Sequence, residues 1–119
     1  MKILKNYWSV ILVIILALMA AKFLFLPGYF PMHDDMQVIR LVEMDKCFRD
    51  GQIPCRWVPD LGYGYGYPLY NYYGPFPYFL MEIFHFSGLS LLASIKTEMI
   101  LTIVFSGLGM FLLGRSLWG

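Results

Sequence analysis

Two adjacent carboxylates beside an imidazole, His33-Asp34-Asp35, form the most chemically capable cluster in this 119-residue chain. Paired acids could hold a divalent cation through oxygen or take a proton from an acceptor hydroxyl. They also have a plain structural use, because aspartate is a preferred helix N-cap and a second acid favours the positive end of the dipole. Glu82 and His85 make a second pair, three positions apart and so on one face of a helix. Glu-x-x-His pairs bind metal in helical bundles where matching pairs on other helices complete the set. No matching pair is present here, so helix packing or a substrate cavity is the expected role.

A third group is aromatic. Seven tyrosines lie between Tyr63 and Tyr78, interleaved with glycine and proline that preclude a stable helix or strand. Their rings could stack on sugars or lipid and their hydroxyls could hydrogen-bond. At headgroup depth the same rings form an interfacial belt, which suits Tyr72, Tyr73 and Tyr78 best, just ahead of an apolar run. Cys47 and Cys55 are eight positions apart, not the spacing of a C-x-x-C metal motif. An oxidising compartment would let them bridge, but two inert thiols is the simpler expectation.

The elements that carry these groups belong in a membrane. The chain is 59% hydrophobic and only 14% charged, with a mean hydropathy of +0.60. A soluble fold of this size would have to hide several long apolar runs in one small core. The net charge of +1 and the lack of a Lys/Arg cluster give no footprint for nucleic acid. Three runs are long enough to consider as spans: 8–26, 76–93 and 99–114. The first is nineteen helical residues, reaching about 28 Å, close to the hydrocarbon thickness. Lys2 and Lys5 would suit a signal peptide, but no small-residue cleavage site follows, and an uncleaved helix is expected. Pro27-Gly28 ends it.

The expected fold is therefore all-α and integral to the membrane. Three transmembrane helices would carry an outer loop over 27–75, with an amphipathic surface helix over 35–50. In that helix Val38, Leu41, Met44 and Phe48 form the apolar arc, while Arg40, Glu43, Lys46 and Asp50 lie opposite at ion-pair spacing. Gly51 is its natural stop. The loop holds six acids and four bases, a net charge of −2. Ser94 to Glu98 is expected to turn the second span into the third. Ser106, Gly107, Gly109 and Gly114 give the last helix a face that a neighbour could approach closely. Lys2 and Lys5 place the amino terminus in the cytoplasm by the positive-inside rule, and so the long loop outside.

The order of motifs resembles a known family. Phe30-Pro31-Met32-His33-Asp34-Asp35 is followed by Gly51-Gln52-Ile53-Pro54-Cys55-Arg56-Trp57, then Gly66-Tyr67-Pro68, then Tyr72-Tyr73-Gly74-Pro75. The series resembles the amino-terminal part of bacterial multi-pass membrane proteins of the GT-C glycosyltransferase type. Within these it is most similar to the group labelled "6-pyruvoyl-tetrahydropterin synthase-related". No pterin chemistry is implied, since the chain has neither a soluble catalytic domain nor a zinc-histidine set. The resemblance covers nearly the whole chain, and the G-x-x-P-x-R-W and G-Y-P…Y-Y-x-P patterns carry it.

The resemblance implies a plasma-membrane, multi-pass transferase that moves a sugar from a polyprenyl-phosphate carrier to an acceptor on the outer face. It implies Asp34, with Asp35 behind it, as the catalytic group, able to take magnesium or manganese. It makes His33, Arg56, Trp57, Tyr67 and Tyr70 candidates for substrate binding. Its partners would be the bilayer, the lipid-linked sugar and further helices, because such proteins have many more spans. These residues are thus expected to be the amino-terminal part of a longer chain, inactive alone. Other classes also fit the residues: a non-catalytic membrane subunit whose loop binds a partner or glycan, or a transporter fragment suggested by Glu82 and His85. No nucleotide-binding loop, zinc-protease helix or nucleophile elbow is present.

Overall fold

A computed structural model describes residues 2–31 and 36–118. Their regular elements are all helices, and the described residues contain no strand, only an isolated antiparallel bridge between Val58 and Tyr67. The chain divides into two compact units: residues 1–30 with 99–119, and residues 31–98.

In the first unit, α1 (Lys2–Ala20) draws on an unbroken run of apolar residues and gives way to a 3-10 turn over Lys22–Phe25. The helix that the sequence extended to residue 26 therefore ends at Ala20. The apolar part of α1 is Tyr7–Ala20, shorter than a full span. Ala17 and Ala21 are buried, whereas Trp8, Leu12 and Met19 are exposed. The other element is the greater part of α5 (Leu91–Trp118), whose 28 residues are long and apolar enough to cross a membrane. They reach about 42 Å. The close approach foreseen from the small residues occurs at Gly107, where a Cβ would lie 3.4 Å from Val13 Cγ1 and 3.9 Å from Ala17 Cβ. Nothing lies within 4 Å of such an atom at Gly109 or Gly114.

The second unit contains α2 (Gln37–Arg49), a single turn α3 (Leu69–Tyr72), α4 (Phe76–Phe86) and the first residues of α5. α2 falls where the surface helix was expected and stops at Gly51 as its sequence predicts. The amides of Gly51 and Gln52 reach back to the carbonyls of Phe48 and Cys47 at 3.0 and 2.8 Å. Its polar face is not solvated throughout, however. Arg40 and Glu43 are buried with Leu41, Met44 and Cys47, because later segments of the chain cover that side too.

The apolar run 76–93 is not one helix. α4 has eleven residues, about 16 Å, roughly half of a hydrocarbon core. The turn lies at Ser87–Ser90 rather than at 94–98, and residues 94–98 are inside α5. Ser90 explains the new start: its Oγ accepts the Ala93 amide at 3.2 Å, an N-cap hydrogen bond. α4 packs on α2 instead, with the Phe48 ring 5.4 Å from that of Phe79 and 6.1 Å from that of Phe86.

Candidate functional site

The face of α2 that carries Arg40 holds the tyrosine-rich segment. The Arg40 guanidinium lies 4.1 Å from the centre of the Tyr73 ring and donates from Nη1 to the Tyr78 hydroxyl at 3.4 Å. The Tyr78 hydroxyl in turn donates to Gln37 Oε1 at 2.6 Å, and that of Tyr70 donates to the Arg40 carbonyl at 2.5 Å. The Tyr70 and Tyr78 rings meet edge to face at 5.5 Å. Burial pushes the Tyr70 hydroxyl above the usual tyrosine range, so it stays a donor. Both rings are buried, and a place in the interfacial belt does not describe Tyr78. Tyr70 is likewise buried, with its ring against Tyr78 and its hydroxyl on the Arg40 carbonyl. Tyr63, Tyr65 and Tyr72 remain open to solvent.

A second layer ties the stretch after α2 back onto the helix. Cys47 and Cys55 are bridged, with Cα atoms 5.4 Å apart, which corrects the expectation of two thiols. Lys46 forms an ion pair with Asp60, and Glu43 Oε2 accepts the Asp60 amide at 3.3 Å. Burial raises the Glu43 carboxyl above its ordinary value, while Lys46 works against that shift. The chain then loops out and returns through the Val58–Tyr67 bridge, whose two backbone hydrogen bonds are both 3.1 Å.

Arg56 and Trp57 are both exposed just after the disulfide ring closes at Cys55, and the half-buried Tyr67 is bridged through its backbone to the next residue, Val58. An exposed guanidinium can bind a phosphate, and an exposed indole can stack on a ring. Arg56, Trp57 and Tyr67 thus lie on two segments joined by the Val58–Tyr67 bridge, whereas Tyr70 is buried. His33, Asp34 and Asp35 lie outside the described residues.

One cluster escaped the sequence reading. Asp45 of α2 faces Glu82 and His85 of α4, and one donor atom from each of the three lies within 4.8 Å of the others. Glu82 is wholly buried, and neither of its oxygens has a hydrogen-bond partner. Burial, with Asp45 beside it, pushes its carboxyl up to about 7. The shared face of Glu82 and His85 was legible at i,i+3; their partner was not, because it comes from another helix.

No known protein family, curated protein or solved structure matches the chain.

Proposed function

We propose that this chain is the amino-terminal portion of a membrane glycosyltransferase working on the outer face of the plasma membrane. It would transfer a sugar from a polyprenyl-phosphate carrier to an acceptor hydroxyl. The observation that carries the reading is the Cys47–Cys55 bridge. It fixes the Arg56-Trp57 motif against α2, the helix that begins just after His33-Asp34-Asp35. Disulfides persist in oxidising compartments, and a transferase fed from outside needs this loop there.

In this reading α5 crosses the bilayer, α1 crosses together with the apolar turn that carries its run on to Leu26, the amino terminus is cytoplasmic, and residues 31–90 are outside. Arg115 then falls on the cytoplasmic side with Lys2 and Lys5, as the positive-inside rule requires. α4, with eleven residues, is assigned in this reading to the outer part, which leaves two crossings. Asp34 takes the proton of the acceptor hydroxyl as its oxygen bonds to the anomeric carbon. The carbon–oxygen bond to the carrier breaks, and polyprenyl phosphate leaves. Arg56 offers its charge to that phosphate, and Trp57 a face for the sugar ring.

The test is Asp34→Asn in the full-length gene product, assayed for sugar transfer in isolated membranes. The reading expects at least a hundredfold loss of transfer with normal insertion. Undiminished transfer would reduce Asp34 to a helix cap and defeat the proposal.

A further inference from the structure

We propose that Asp45, Glu82 and His85 bind a divalent transition cation, zinc foremost, which clamps α2 to α4. Glu82 is 0% exposed and both of its oxygens lack hydrogen-bond partners, although buried polar groups are almost always satisfied. Asp45 divides its carboxylate: Oδ2 accepts from Arg49 Nε at 2.8 Å, while Oδ1 is buried without a partner. His85 Nδ1 lies 2.8 Å from the Leu89 carbonyl. A carbonyl only accepts, so Nδ1 carries a proton and Nε2 is the nitrogen left to meet a cation. Asp45 on α2 thus converges with Glu82 and His85 on α4, one donor atom from each side chain lying within 4.8 Å of the others.

A shared proton between Asp45 and Glu82 is the competing explanation. It would satisfy one oxygen of each acid, leaving the other Glu82 oxygen and the imidazole lone pair unused. A cation engages all three side chains. One imidazole with two carboxylates suits zinc better than magnesium or calcium, which favour all-oxygen shells. Tetrahedral zinc places its donors roughly 3.4 Å apart, so side-chain shifts of about an ångström close the site. The two carboxylates balance the charge of the ion, and the Arg49 side chain is largely exposed, where solvent screens it. The Cys47 and Cys55 sulfurs are tied up in their bridge and do not compete.

The experiment uses the full chain in detergent micelles, stripped with a chelator and titrated with zinc against a chromophoric competitor. One equivalent should bind per chain. Glu82→Gln and His85→Gln should each weaken it at least tenfold, and His33→Ala should leave it unchanged. Cobalt in place of zinc should show an imidazole-dependent visible spectrum that His85→Gln abolishes. Glu82→Gln keeps the side-chain shape and removes a buried charge, so it should fold, as circular dichroism will show. The wild-type titration decides the matter even if a variant does not fold. The proposal is overturned if the wild-type chain binds no stoichiometric zinc, if both variants bind as wild type does, or if His33→Ala abolishes binding.

Discussion

Replacing Gly66 with alanine probes how the Arg56-Trp57 loop is held in shape. Gly66 has a φ of +71°, where a residue with a Cβ costs about 1–2 kcal/mol. The added atom would also lie 2.6 Å from the Val58 carbonyl oxygen and closer still to Trp57 Nε1. The backbone at 58 must therefore withdraw, and the two hydrogen bonds of the Val58–Tyr67 bridge yield, at about 1 kcal/mol each. The sum is about 3–4 kcal/mol, equivalent to opening the loop several hundredfold more often. Gly64→Ala is the control. Its φ is +83°, but nothing lies within 4 Å of the added atom, so it costs only the first term, about tenfold. Hydrogen exchange at the Val58 and Tyr67 amides, measured in micelles, reads both. Equal acceleration by the two variants would refute the claim that close approach at Gly66 holds the loop.

Two further predictions follow from the buried polar groups. Glu82 is easier to protonate folded than unfolded, so between pH 4.5 and about 7 the folded chain holds a proton that the unfolded chain has released, and Glu43 is shifted in the same direction. Stability in chelator should therefore fall as pH rises through that window, by at most about 3 kcal/mol from Glu82. Glu82→Gln should flatten most of the slope and Glu43→Gln part of it, as thermal unfolding at pH 5 and pH 8 will show; a wild-type chain whose stability rises with pH would contradict this. Tyr78→Phe strips a hydroxyl from between Gln37 and Arg40 and should cost about 1–3 kcal/mol. Tyr72→Phe, at an exposed ring, should cost nothing measurable in the same chemical denaturation.

Much of the second unit was legible because its signals are local. The arc of apolar residues and Gly51 bound α2 to within a residue or two, and Pro27 marks the end of the first apolar segment. Hydropathy alone joined 76–93 into one span, since Ser87-Gly88 is a short interruption in an apolar run. The better signal was Ser90, a capping residue placed just before a long helical stretch. Arg40 and Glu43 looked solvated because periodicity reports one helix at a time. The tyrosines and the Asp60 strand of chain that cover them arrive from later in the sequence. The trio of Asp45, Glu82 and His85 was hidden for the same reason, as was the bridge, since spacing permits a disulfide without bringing the sulfurs together.

The most direct test of the account is thiol labelling in intact cells with a membrane-impermeant maleimide. Cys47 and Cys55 should resist the reagent at first, because they are bridged, and then label after an impermeant phosphine reduces them from outside. That result would place the loop outside, oxidised, where transfer from a lipid-linked sugar requires it. Labelling without reduction would contradict the bridge. Labelling only after the inner face is opened would put the loop in the cytoplasm and contradict the outer-face reaction.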